Sequence, residues 1–379
     1  MLALTVLAAS YGCGAGSPAV DSMGRDAGHD RSRDGLSDRF DSQLEETLQA
    51  TLLDFFTKQQ PPGVIGAVRQ GPRYWAGAIG KSDLAASTLL KTDDLFRIAS
   101  ITKAFVATLV LKLDEEGVLS VEDKLSKWIP SFPGGDAIPL YRLLNHTSGI
   151  YNFILTYPQF CPTPSAAPQD LVQIAIDHGP SFAPGAGFEY SNTNYILLGM
   201  VIEAATQDKW HIVQRRRILV PFGLGHTFVE GQEALPSQVA RGYSFDGKQL
   251  LDVSDYPHCL WACGGMVSTI ADVTRFFSLL HSGAILSAAS LKKMRSQYTA
   301  EIPRTSDDGL SPAAVHKAGL GLGIVVDGAE SFYCHGGWAR GYRSFVLLRE
   351  RDATCAAGFA NVDGAVADPL GWALVNAVP

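Results

Sequence analysis

A polar Ser-x-x-Lys pair, Ser100 and Lys103, stands at the start of an unusually apolar segment, and this combination constrains the fold most. Apolar residues recur every four positions from Ile101 to Leu113, which predicts a helix, and Gly117 then supplies a stop signal. Because apolar side chains cover most of its girth, we expect the helix to be buried. Positions i and i+3 share a helix face, so the hydroxyl and the amine are predicted to meet.

This pair indicates a nucleophile, because a nearby base or amine activates a serine hydroxyl that is otherwise weakly reactive. The motif alone is a weak signal, since Ser-x-x-Lys arises by chance in most chains of this size. The plain alternative is that Ser100 only caps the helix N-terminus. Other motifs are needed to decide between these interpretations.

Composition describes an ordinary globular chain. Of the 379 residues, 46% are hydrophobic and 18% charged, with a net charge of −7. The longest basic run is the three arginines at 215–217, so nucleic acid is not a predicted partner. No apolar run of about 18 residues occurs, so no membrane-spanning helix is predicted after the N-terminus.

The N-terminus indicates export. Residues 2–9 resemble the apolar region of a signal peptide, although no Lys or Arg precedes them. Cys13 follows a stretch loosely similar to a bacterial lipoprotein cleavage box. We expect a periplasmic or extracellular protein, with membrane anchoring through a lipidated Cys13 as one option and an uncleaved N-terminus as the alternative. Residues 1–40 are therefore predicted to be a signal-like segment and a disordered linker.

The six cysteines do not define a metal site or a disulfide pattern. They are Cys13, Cys161, Cys259, Cys263, Cys334 and Cys355. A single Cys-x3-Cys beside His258 lacks the second pair that a structural zinc site needs. Pairing cannot be deduced from spacing. The sequence predicts no metal and no organic cofactor.

Strand patterns lie at both ends of the chain, with helical patterns between them. Two β-rich runs at 64–68 and 73–79 flank a turn and predict a hairpin, and further strands occupy the last third. A first helix at 41–58 and a closing helix from Asp368, with Asp368 as N-cap and Pro369 as first helical residue, flank these strands.

The predicted architecture is therefore α+β, with a catalytic domain at 41–379. An α/β lobe with a five-stranded antiparallel sheet covers about 41–95 and 265–379. A helical lobe covers about 96–264.

Three motifs stand in order along the chain: Ser100-x-x-Lys103, Tyr190-x-Asn192 and His335-Gly336-Gly337. The ordered triplet resembles the serine β-lactamase and penicillin-binding-protein superfamily, in its branch of class C β-lactamases, D-alanyl-D-alanine carboxypeptidases and family VIII esterases. The similarity runs from about residue 41 to 379. It includes the segments 143–149 and 264–269; within the first, His146 is expected to brace a turn rather than to catalyse.

The resemblance implies a β-lactamase/transpeptidase-like fold and a role for each motif residue. Ser100 is the acylated nucleophile, and Lys103 and Tyr190 pass its proton. Asn192 hydrogen-bonds Lys103 and the acyl side chain of the substrate, while His335 and Gly337 belong to the substrate-binding edge. The backbone N–H groups of Ser100 and Trp338 form an oxyanion hole.

The third motif departs from the family pattern, which has Lys-Thr-Gly or His-Thr-Gly. His335 is mostly neutral at pH 7 and Gly336 has no hydroxyl, so two groups that hold a substrate carboxylate are missing. This favours esters, or D-amino-acid amides and peptides, over penicillins. Arg340 or Arg343 would restore carboxylate binding if either faced the site.

The predicted function is thus a serine hydrolase with a small-molecule ester, peptide or β-lactam as substrate. Its alternatives are a D-alanyl-D-alanine carboxypeptidase or a class C-like β-lactamase. A further alternative, from a different functional class, is an inactive penicillin-binding or scaffold protein. No Gly-x-Ser-x-Gly elbow occurs, which disfavours a Ser-His-Asp hydrolase. Oligomeric state and natural substrate stay open.

Overall fold

The structure is a computed structural model that describes residues 38–156, 166–256, 260–302, 315–365 and 367–379. The predictions for the N-terminal segment and Cys13 lie outside these residues, as do those for Cys161, His258 and Cys259. Among the residues it covers, Cys263, Cys334 and Cys355 are free thiols.

Eleven α-helices are present in the described ranges. They are α1 Ser42–Gln59, α2 Thr102–Glu115, α3 Leu125–Trp128, α4 Leu140–Leu144, α5 Pro168–His178, α6 Asn192–Thr206, α7 Trp210–Gln214, α8 Trp261–Gly264, α9 Ile270–His281, α10 Ala288–Lys292 and α11 Asp368–Ala377. Short 3-10 turns occupy Ala99–Ile101, Gly135–Ala137 and Phe153–Leu155, and π-helical turns follow α7 and α10.

The strands of the described chain fall into three sheets. They are β1 Gly63–Gln70, β2 Arg73–Asp83, β3 Thr88–Leu89, β4 Phe96–Arg97, β5 Thr227–Val229, β6 Tyr243–Phe245, β7 Leu250–Asp252, β8 Met266–Ser268, β9 Ala300–Glu301, β10 Val315–Ala318, β11 Gly323–Asp327, β12 Glu330–Ala339, β13 Tyr342–Arg349 and β14 Thr354–Ala360. The main sheet has the order β3-β2-β1-β14-β13-β12-β11-β10-β9; β4-β8-β5 and β6-β7 form the other two.

The predicted five-stranded sheet is wrong in its strand count, because the main sheet has nine strands. Its five longest neighbours, β2-β1-β14-β13-β12, join the two ends of the chain as predicted. The missed strands are β3, β10 and β9, which lie at or next to its edges, and β3 and β9 are only two residues long. Such short strands carry no alternation pattern, so the sequence cannot reveal them.

The first hairpin is confirmed. β1 and β2 pair antiparallel up to Gln70↔Arg73, and Gly71-Pro72 forms the two-residue connection. Gly71 has φ +58°, a conformation that glycine adopts without steric cost.

Alternation along β1 separates two apolar layers. Val64 and Val68 belong to a cluster with residues of α1 and α11, such as Leu48 and Leu374. Ile65 and the other inward residues join the larger core that contains α2, α6 and α9. This one core contains residues of β1 and of the helical middle of the chain, so it does not separate two lobes. The predicted lobe boundaries therefore stay predictions.

The helical predictions hold with small changes of boundary. α2 is buried along nearly its whole length, as its apolar pattern predicts. In α11 the N-cap is Ala367 and Asp368 is the first helical residue, so the predicted start was one residue late. Within the described ranges no helix is long and apolar enough to cross a membrane.

Candidate active site

The backbone around Ser100 is clamped between two sheets. Ser100 lies in the 3-10 turn directly before α2. The N–H of Ile98 donates to Met266 O at 3.1 Å, and Ile98 O accepts from Ser344 Oγ at 2.9 Å. These bonds tie the turn to β8 on one side and to β13 on the other, so the position of Ser100 is fixed by both.

The cap interpretation of Ser100 is wrong. α2 begins at Thr102, its N-cap is Ile101, and no side chain caps it. The preceding Ala99 has φ +46°, a left-handed conformation rare for a residue with a Cβ. Such strain persists only where surrounding contacts impose it, and it is often found at functional sites.

Lys103 is fully buried, and all three of its N–H donors are used. Its Nζ donates to Ser100 Oγ at 3.0 Å, to Asn192 Oδ1 at 2.8 Å and to Cys263 O at 2.6 Å. An ammonium has three donors and no acceptor, so this environment matches it completely. The predicted contact of the first two motifs is therefore present in the structure.

Tyr190 lies at the surface beside Lys103. Its ring centroid is 4.9 Å from Lys103 Nζ, and the side chain is 36% exposed, whereas Asn192 is 7% exposed. Tyr190 precedes α6, whose first residue is Asn192. The second motif thus directs Asn192 inward and leaves the Tyr190 ring open to solvent.

His146 braces a turn and also contacts Tyr190. It adopts φ +62°, its Nδ1 accepts from the N–H of Ser191 at 3.2 Å, and its ring centroid is 4.3 Å from that of Tyr190. Burial, aided by the charge of Lys103, holds the pKa of His146 well below its ordinary value. A neutral imidazole therefore packs against the Tyr190 ring.

His335 is neutral at pH 7. Burial, together with the charge of Lys103, lowers the pKa of His335 to about 4. Its Nδ1 lies 2.7 Å from Gly336 O, so Nδ1 donates and Nε2 is left as an acceptor.

Gly337 permits the close approach of β12 to the nucleophile turn. A Cβ there would lie 2.4 Å from Ile98 O and 2.1 Å from Ser344 Oγ. At Gly336 the nearest atom to an added Cβ, on Phe345, is 3.8 Å away. Pairing of β12 with β11 ends at Cys334, so in the described chain β12 continues past Trp338 with β13 alone.

Both candidate arginines contact other groups. The Nε of Arg343 donates to Asp363 O at 2.8 Å, and its guanidinium lies 4.9 Å from the Trp338 ring centroid. The adjacent Ser344 reaches the nucleophile turn, and successive side chains of a strand point to opposite faces. Arg343 therefore lies on the far face of the sheet. Arg340 packs over Tyr256 at 3.9 Å.

Sequence reasoning missed two members of this network. The carbonyl of Cys263 binds Lys103, and the side chain of Asn152 bonds the second motif. Every residue has a carbonyl, so Cys263 left no signal, and Asn152 follows a turn at no diagnostic spacing. In the part of the chain that the structure describes, no group of His, Cys, Asp or Glu is arranged to hold a metal.

This fold and this Ser–Lys–Asn arrangement define a family. The model of the family described as "Beta-lactamase" matches residues 40–378, and the chain belongs to the β-lactamase family.

Curated relatives of the chain include penicillin-binding proteins. Penicillin-binding protein 4* of Bacillus subtilis is 32% identical over 195 residues, 50% of this chain and 43% of that protein. Penicillin-binding protein 4 of Amycolatopsis lactamdurans is 29% identical over 64% of this chain and 67% of its own length. The similarity thus spans 43% to 67% of the length of these relatives.

Solved structures with the same fold include two amide hydrolases. D-amino acid amidase from Ochrobactrum anthropi, complexed with L-phenylalanine amide, superposes with a TM-score of 0.80 at 27% identity, covering 89% of this chain and 98% of that one. D-stereospecific amidohydrolase from Streptomyces gives a TM-score of 0.73 at 30% identity, covering 87% and 96%.

Proposed function

We propose that this protein is a serine hydrolase that forms an acyl-enzyme on Ser100 and acts on esters or on D-amino-acid amides and peptides. The observation that carries the proposal is the contact of the buried Lys103 Nζ with both Ser100 Oγ and Asn192 Oδ1. A buried lysine held against a serine hydroxyl is an arrangement suited to nucleophilic catalysis.

In the proposed acylation, Ser100 Oγ attacks the carbonyl carbon of the substrate. Because the Lys103 ammonium has no acceptor, Tyr190 acts as the base that takes this proton, and the proton is then given to the leaving alcohol or amine. The backbone N–H groups of Ser100 and Trp338 hold the oxyanion, which is stabilised most when its donors are preorganised. Water then attacks the acyl-enzyme and releases the acid. These steps need no metal or organic cofactor.

The proposed substrate class rests on the third motif. His335 is neutral, Gly336 has no hydroxyl, and Arg343 lies on the far face of the sheet, so none of the three supplies a charge-assisted contact to a substrate carboxylate. The amidase and the amidohydrolase with the same fold support D-amino-acid amides as substrates. The alternatives are D-alanyl-D-alanine carboxypeptidase and class C-like β-lactamase activity.

Turnover on a panel of substrates tests this proposal. Short p-nitrophenyl esters and D-amino-acid amides should exceed nitrocefin by about 10- to 100-fold, the value of one charge-assisted hydrogen bond. Gly336→Thr, which the open Cβ position admits, should move the ratio toward nitrocefin. Faster hydrolysis of nitrocefin than of p-nitrophenyl butyrate at pH 7 would contradict the substrate assignment.

Three variants test the roles of the first two motifs. Ser100→Ala should abolish turnover, and Lys103→Ala and Tyr190→Phe should each lose at least about 100-fold, the effect expected of general acid–base groups. If the folded wild type turns over nothing on the panel, the inactive scaffold alternative is favoured. Full activity of Tyr190→Phe would remove Tyr190 from the proton path.

We also propose export of the chain to the periplasm or cell exterior, with Cys13 as the residue that would carry a lipid. The support is the apolar segment at residues 2–9. Metabolic labelling with a palmitate analogue, compared between wild type and Cys13→Ala, tests the lipid.

A further inference from the structure

Asn152 lies outside the three motifs but contacts two residues of the second motif. Its Oδ1 accepts from the N–H of Asn192 at 3.1 Å and from Asn192 Nδ2 at 3.2 Å. Its own Nδ2 donates to Tyr190 O at 3.3 Å. The side chain is 8% exposed, so these bonds are largely shielded from water.

The charge of Lys103 fixes the direction of every bond in this chain of contacts. An ammonium only donates, so the Asn192 atom that lies 2.8 Å from it must be Oδ1. Asn192 Nδ2 then faces Asn152 and needs an acceptor, which Asn152 Oδ1 provides. Asn152 Nδ2 is left to donate to Tyr190 O, and turning over either amide would place like groups against each other.

We propose that Asn152 is a positioning residue that holds Asn192 Oδ1 against Lys103 and fixes the backbone carrying the Tyr190 phenol. This inference rests on the function proposed above, since it assigns Asn152 a role in acylation of Ser100. Asn152 acts through Asn192 and Tyr190. Without it, the buried Nδ2 of Asn192 loses its acceptor, and the amide is free to rotate away from Lys103.

The first test is a double-mutant cycle on the rate of acylation. Second-order labelling of Ser100 by a fluorophosphonate probe is measured for the wild type, Asn152→Ala, Asn192→Ala and the double variant. Asn152→Ala should be slower by about 10- to 100-fold, as for a lost bond in a polar network. In the double variant, the loss of labelling should be clearly smaller than the product of the two single losses, because residues acting as one unit are not additive. Losses that multiply would overturn the proposal.

A matched control separates positioning from general stabilisation. Asn145 is also buried, with its Nδ2 donating to Tyr298 O and its Oδ1 accepting from the N–H and hydroxyl of Thr147. Neither Tyr190 nor Asn192 is among these partners of Asn145. Asn145→Ala should lower thermal stability to a similar extent while labelling of the folded protein stays within about 3-fold of wild type. Equal loss of labelling in Asn145→Ala and Asn152→Ala would overturn the assigned role.

A second readout needs no activity and separates this inference from the proposed function. Asn152 and Lys103 are linked through Asn192, so their alanine variants should couple by about 5-fold or more in the unfolding equilibrium constant. The coupling should vanish in an Asn192→Ala background. Additive effects in both backgrounds would overturn the inference. A folded wild type that no probe acylates would instead refute the proposed function, and the unfolding cycle would then decide alone whether Asn152 holds Asn192.

Discussion

At the scale of single residues, the burial of His335 makes the free energy of unfolding depend on pH. Its pKa is about 4 in the folded protein and near 6.5 when solvated, so the unfolded chain takes up the proton first as pH falls. The free energy of unfolding should therefore fall between pH 6.5 and pH 4, by up to about 3 kcal/mol from this group. Burial shifts the pKa of His146 in the same direction, so both histidines act together.

Urea unfolding at pH 7 and pH 4.5 measures this contribution. His335→Gln keeps a neutral side chain, and we expect a smaller loss of stability on acidification than in the wild type. His178→Gln, at an exposed histidine, serves as the matched substitution control. An unaltered pH dependence in His335→Gln would show that His335 is not held neutral by the fold.

Single-residue chemistry was predictable where a motif named the side chain. Ser100, Lys103 and Asn192 come together as the family resemblance of their motifs implies. The Cys263 carbonyl and Asn152 were not predictable, because a backbone oxygen has no sequence signature and Asn152 is brought to Asn192 only by tertiary packing.

At the scale of elements, two adjacent glycines of β12 should respond differently to the same change. Gly337→Ala puts a Cβ 2.4 Å from Ile98 O, a backbone atom of the nucleophile turn that cannot move cheaply. We expect a loss of about 1–3 kcal/mol in stability, typical of overpacking, and a loss of acylation. Gly336→Ala meets no atom within 3.8 Å and should be tolerated.

The pair is compared by thermal unfolding and by fluorophosphonate labelling. Similar behaviour of Gly336→Ala and Gly337→Ala would mean that the close approach of β12 to the turn does not govern the site.

The long, strongly patterned elements were predictable from the period of their apolar residues alone. The two-residue strands β3 and β9 were not, since tertiary pairing rather than a local pattern creates them.

At the scale of the whole molecule, Arg349 ties the end of the chain to the sheet. Its side chain is buried and donates to the carbonyls of Val375, Val378 and Pro379, and it pairs with Asp352 at 2.7 Å. Arg349→Ala should cost about 3–5 kcal/mol, because it leaves buried carbonyls and a carboxylate without their partner.

The exposed pair Arg351–Glu330 is the natural control. Its arginine side chain is 52% exposed, so Arg351→Ala should cost no more than about 1 kcal/mol. Chemical denaturation of both variants measures the difference. Equal stabilities would mean that docking of the C-terminal segment adds nothing to the fold.

The closure of the sheet by both ends of the chain was predictable, because strands and helices with matching patterns lie at either terminus. The placement of Arg343 on the far face of the sheet was not. It depends on the register of β13, which sets whether residue 343 or residue 344 faces the nucleophile turn.

The central claim is that Ser100 is the residue that becomes acylated, and mass spectrometry of the labelled protein tests it most directly. After reaction with a fluorophosphonate probe and tryptic digestion, the peptide spanning residues 98–103 should carry one adduct at Ser100. Ser100→Ala should carry none, and Lys103→Ala should acquire it at least about 100-fold more slowly. An adduct on another residue, or equally fast labelling of Ser100→Ala, would contradict the account.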